Sequence, residues 1–194
     1  MKKLVFLSLI FVISSCTSAE IQTPQSQIVK VYATPAARPW LTELFDCAAD
    51  ASAVISMTDP DSASILLRIG EPENLTTPAY QIDTEEILIV THRESPVQNL
   101  TLEEARALFG GRGDPSVQVW VYASGEDVQE VFDQFVMSGG SVTSLARLAV
   151  SPQQMSDVLN AEKNAVGILP RHWKIGDTHD VFTIASVPVL AILK

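Results

Sequence analysis

β-rich runs and amphipathic helical stretches alternate along this chain from residue 28 to its end. That alternation restricts it to an α/β architecture with substantial parallel pairing, because a strand followed by a helix returns in its original direction. Ile28–Tyr32 reads as the first strand, and from Pro39 the residues Trp40, Leu41, Leu44, Phe45 and Ala48 fall on one helical face. Ala53–Met57, Ile65–Ile69 and Glu86–Thr91 read as further strands. Thr101-Leu102-Glu103-Glu104 is a capping box for a helix carrying Leu102, Ala105, Leu108 and Phe109, which Gly110-Gly111 stops. Val117–Tyr122 is a strand, Ser124 is placed to cap a helix, and Val128, Val131, Phe132 and Phe135 repeat at i, i+3, i+4, i+7. Ser151-Pro152-Gln153-Gln154 starts another helix with buried positions Met155, Val158 and Leu159. Ala165–Leu169, Val181–Ala185 and Val187–Ile192 complete the strands, the last two returning toward the first sheet.

Ahead of this body lies a leader of two lysines, Lys2 and Lys3, an apolar run from Leu4 to Ile13, and Ser14-Ser15. It has signal-peptide grammar and is too short to span a bilayer comfortably. Ile13-Ser14-Ser15-Cys16 resembles the bacterial lipoprotein box, which implies cleavage after residue 15 and lipidation of Cys16. Acyl chains contribute about 0.8 kcal/mol per buried CH2, enough together for durable attachment. Residues 16–27 read as the lipidated cysteine and a Ser/Thr/Gln/Pro-rich tether. The expected address is the cell envelope, on the outer face of the cytoplasmic membrane or in the periplasm. With Cys16 so used, Cys47 has no disulfide partner and is expected to be a small buried residue of its apolar helix.

Removing residues 1–15 takes two of the 13 basic residues and none of the 23 acidic ones, which leaves 11 against 23 and a net charge of −12. Such a surface argues against nucleic acid as a partner and against electrostatic docking on anionic lipid. His92, His172 and His179 have no zinc-ligand spacing, and no nucleophile elbow, P-loop or Cys/His pair is present. Neither a catalytic residue, a metal site nor a cofactor is read from the sequence.

Three segments in order carry a resemblance. Glu86–Thr91 leads into Asn99-Leu100-Thr101-Leu102-Glu103-Glu104 and a helix ending Phe109-Gly110-Gly111. Val119-Trp120-Val121-Tyr122-Ala123-Ser124-Gly125 precedes Phe132, and Ala165-Val166-Gly167-Ile168-Leu169-Pro170 follows. Together they resemble the second lobe of phosphate-binding lipoproteins of ABC importers. The resemblance implies a type 2 periplasmic-binding-protein fold, in which two small α/β lobes close on a ligand. The expected lobes are 28–84 with 174–194, and 85–173.

That fold implies a solute-binding lipoprotein taking phosphate or a related small oxyanion for an ABC permease. The implied ligand contacts are Thr34 and Arg38 after the first strand, Asp83 on the crossing between lobes, and Ser124 and Gly125 after the Trp120 strand. Each has an ordinary reading beside it: Ser124 as an N-cap, Thr34 as local turn chemistry before Pro35, Arg38 as a side chain lying on Trp40. The chain also departs from the family pattern. Its first turn lacks glycine, and Glu126-Asp127 stands where Thr-Arg is usual. Carboxylates at a helix start stabilise the helix but repel an oxyanion. The competing expectation is therefore a binding-protein-fold module that serves as an envelope sensor or interaction domain without transport.

Overall fold

A computed structural model describes residues 27–194. The leader, Cys16 and the tether up to residue 26 lie outside them. Within the described chain, eight strands form one sheet in the order β2-β1-β3-β8-β4-β7-β5-β6. β1 (Gln27–Ala33) runs parallel to both β2 (Ala53–Met57) and β3 (Ile65–Ile69). α1 (Leu41–Asp50) connects the first two and packs on the edge strand β2. At the other end β5 (Gln118–Val121) runs parallel to β6 (Arg147–Leu148) and β7 (Ala165–Pro170). Three helices serve that end: α2 (Leu102–Ala107), α3 (Asp127–Phe132) and α4 (Pro152–Ala161).

Two long strands join the halves. β4 (Ala79–His92) and β8 (Thr178–Leu193) pair antiparallel along almost their whole lengths, from Ala79 opposite Ile192 to His92 opposite Thr178. One end of β8 also pairs with β3, and one end of β4 with β7. The two β-rich runs at the C-terminus are thus a single strand that serves both lobes. Three register shifts, at Gln81/Asp83, Ile87/Leu88 and Ile89/Val90, let this ribbon bend as it crosses. The α/β class expected from the element order, and the two small lobes that the resemblance implies, are the fold observed.

Local signals acted as expected at two helix starts. The Thr101 hydroxyl accepts from the Glu104 N–H while the Glu104 carboxylate accepts from the Thr101 N–H, and Ser151 caps α4 with Pro152 in its first turn. Elsewhere packing overrode them. Ser124 caps nothing, since the N-cap of α3 is Glu126, which makes no side-chain cap bond. After Phe132 the helix widens into a π-helical turn, Asp133–Met137. The wider turn shifts the apolar register, so Val136 and Met137 are buried and Phe135 is exposed. Cys47 is exposed rather than buried. α1 covers an edge of the sheet with nothing packed on its outer side, and none of its residues is fully buried.

A single hydrophobic core runs through both lobes. It joins Ala33, Ala36, Trp40, Leu67 and Ile69 of the first with Tyr122, Val128, Val131, Phe132 and Met155 of the second. Gly70 marks how closely they meet: its φ is +72°, and a Cβ there would lie 2.9 Å from the Val131 Cγ2 of α3. Any larger residue at that position would be strained and would push α3 away.

Candidate functional site

The candidate site lies between the lobes, where the turn after β1, the end of β3, the turn after β5 and the start of α4 converge. Its centre is the carboxylate of Asp127, the first residue of α3 and only 3% exposed. Oδ2 accepts from the Thr34 hydroxyl at 2.6 Å and from the Ile69 N–H at 2.9 Å, both on the first lobe. Oδ1 accepts from its neighbour's Val128 N–H at 2.9 Å. One side chain of the second lobe therefore satisfies donors of the first. Burial raises the Asp127 pKa despite these three donors and the nearby Arg68 charge.

More contacts tie the lobes on either side. Arg68 reaches from β3 to Glu130 of α3 at 2.6 Å. The Trp173 indole N–H donates to the Ala36 carbonyl at 2.9 Å. His172 stacks against Trp40, ring centroids 4.5 Å apart, while its Nδ1 lies 2.5 Å from Glu85 Oε2. The Glu85 side chain is fully buried on β4, and burial raises its pKa against the opposing pull of His172. These contacts leave little space. The void lined by Pro35, Ala36, Tyr122, Glu126, Asp127, Val128 and Val150–Pro152 measures about 10 Å³, no more than a single water requires. Tyr122 belongs to that lining, and its hydroxyl is buried without a hydrogen-bond partner. Desolvation first, then the charges of Asp127 and Glu126, raise its pKa well above the usual value.

A much larger cavity, about 760 Å³, opens between Gly70–Glu73, Glu130 and Val131 of α3, Asp133–Phe135 and Ser186–Pro188. Its wall carries Glu71, Glu73, Glu130 and Asp133, with Arg68 already paired to Glu130. An oxyanion finds no free positive charge among these lining residues.

The sequence-derived candidates lie in different settings. Thr34 is at the centre, engaged with Asp127. Arg38 opens a short 3-10 turn and is exposed. Asp83 is exposed on β4 and accepts from the Trp40 indole N–H at 2.9 Å, the bond that chiefly lowers its pKa. Ser124 and Gly125 sit exposed in the turn before α3, Gly125 at φ +91°. Sequence reasoning treated Asp127 as a deterrent to anions and missed it as a site residue. The signal was its departure from the family pattern beside a buried apolar helix face. Glu85, Trp173 and the His172 contact were also missed, because their partners lie far away in sequence.

The fold is that of type 2 periplasmic binding proteins. No family model matches the chain, and no curated protein matches it. Among solved structures it is similar to a putative phosphate ABC transporter substrate-binding protein from Clostridium perfringens, solved with bound phosphate. That likeness has a TM-score of 0.76 and 14% identity, covering 87% of this chain and 86% of the other. It is also similar to an ABC-type phosphate transport receptor from Vibrio cholerae, with a TM-score of 0.63 and 14% identity over 85% and 86% of the two chains. A third likeness is to the CcmR regulatory domain of Synechocystis in complex with 2-PG, with a TM-score of 0.64 and 9% identity over 87% and 88%. Transport receptors and regulatory domains thus share this fold, and these likenesses establish the fold alone.

Proposed function

We propose that this chain is a lipid-anchored module of the bacterial envelope that keeps the binding-protein fold but works in the closed state, as a sensor or interaction domain. Its lobes are 28–84 with 174–194, and 85–173, and Cys16 holds it to the membrane. The observation that carries this reading is Asp127: its carboxylate engages Thr34 and Ile69 across the cleft and leaves about 10 Å³ beside it. In a hinged receptor, ligand binding supplies the energy of closure and thereby signals occupancy. Here the protein's own side chain supports closure, so a partner reads a constant surface.

Calorimetry of the purified protein with phosphate, sulfate, molybdate and tungstate tests this. The expected result is no heat of binding with any of them. Saturable heat with one would overturn the closed-module reading.

The second reading is a solute-binding lipoprotein that delivers phosphate or a related oxyanion to an ABC permease. It is favoured by the likeness to two phosphate receptors over most of both chains. Under it Thr34 and the turn at Ser124 and Gly125 meet the anion once Asp127 moves aside. Affinity capture from envelopes separates the two, recovering a permease in this case and a sensor or other envelope protein in the first.

A further inference from the structure

We infer that Asp127 is a tethered ligand, occupying a built site for a small carboxylate that becomes available to free anions only when this side chain is removed. The inference rests on the closed-module reading and names what holds the module closed.

Two independent observations support it. The first is the donor set around the carboxylate. Thr34 Oγ1–H, the Ile69 N–H and the Val128 N–H converge on a group 3% exposed, and two of the three come from the opposite lobe. The contact is not local helix capping, because Thr34 and Ile69 lie 93 and 58 residues away in sequence. The second is Tyr122, a residue of the same lining that is 4% exposed and whose hydroxyl has no hydrogen-bond partner. Arg68, on the strand that ends at Ile69, adds positive potential, shared with Glu130. The facing carboxylate Glu126 opposes it, as does Asp127 itself while present.

Tethering explains why the internal group prevails. A carboxylate fixed on α3 meets its donors at an effective concentration far above that of free anions, and it gives up little translational freedom in doing so. Removing the side chain beyond Cβ leaves three donors without an acceptor and a space the size of a carboxylate. Formate matches that space and charge, and acetate adds one methyl group.

The test is chemical rescue on the full chain in mild detergent. Wild type, D127A and D127A/T34V are melted in sodium chloride and in sodium formate or acetate at equal ionic strength. Expected for D127A is a lower Tm in chloride and a saturable rise in formate, roughly 5–10 °C at a hundredfold excess over the dissociation constant. Wild type does not respond, and D127A/T34V responds at least tenfold more weakly. If D127A is unfolded in chloride, D127S is read in its place, together with the refolding yield of D127A in formate against chloride. A folded D127A that no anion stabilises, a refolding yield indifferent to formate, or an equal response of wild type overturns the inference. The wild-type calorimetry fails separately: heat with phosphate removes the closed-module reading whether or not D127A is rescued.

Discussion

Replacing Gly167 with alanine probes the packing that holds α4, and with it Ser151 and Pro152 at the cleft, against the sheet. Gly167 lies on β7, and a Cβ there would come within 2.5 Å of Met155 Sδ and 3.4 Å of both Met155 Cε and Leu159 Cδ2. Ordinary contact is close to 3.5–4 Å, so the sulfur must retreat by about 1 Å. Met155 is flexible, but it is fully buried, so its retreat must displace other core atoms. G167A should therefore cost about 1–3 kcal/mol as overpacking, offset in part by the 0.4–1 kcal/mol typical of removing a glycine from the unfolded chain. M155A alone should cost about 2–5 kcal/mol through the cavity it leaves. In the double variant the new methyl group enters that cavity, so the penalties should fall short of additivity by about 1–2 kcal/mol. Urea denaturation with unchanged m-values measures all four corners of the cycle. A neutral G167A, or penalties that add to within about 0.5 kcal/mol, would refute the close approach of α4 to β7.

Trp173→Phe keeps most of the ring but loses the N–H that donates to the Ala36 carbonyl across the cleft. It should cost about 1 kcal/mol and speed amide exchange in the 34–37 turn, and unchanged exchange there would show that this bond does not hold the lobes. The second prediction concerns pH. Because the folded pKa of Asp127 lies above its unfolded value of 3.8, the native state holds more protons than the unfolded chain between the two. The proton-linked part of its contribution is present below the unfolded value and is lost as pH rises through the folded one, while the bonds from Thr34, Ile69 and Val128 persist to the ionised carboxylate. Wild type should therefore gain stability relative to D127N as pH is lowered from neutral toward about 4, measured by urea unfolding at each pH; a gap that moves the other way sinks the assignment.

The sequence alone determined the α/β class and most of the order of elements, because periodicity and caps are local. Thr101 with Glu104, and Ser151 with Pro152, act through neighbours within one turn, and they start their helices where the sequence places them. Apolar periodicity, however, reports that a face is apolar and not what covers it. The α1 face that includes Phe45 and neighbours Cys47 met only an edge strand, so both residues are exposed. A π-helical turn moved Phe135 outward.

Only the tertiary structure decided the candidate site. The bond from Thr34 to Asp127 spans 93 residues, and that from His172 to Glu85 spans 87. No local pattern encodes such pairs; they arise when β4 and β8 run through both halves of the sheet and bring the lobes together. From the sequence, the Glu126-Asp127 pair weakened the case for an oxyanion by charge alone. The fold buries the same aspartate and gives its carboxylate three donors, two of them from the other lobe, an arrangement that charge in the sequence does not encode.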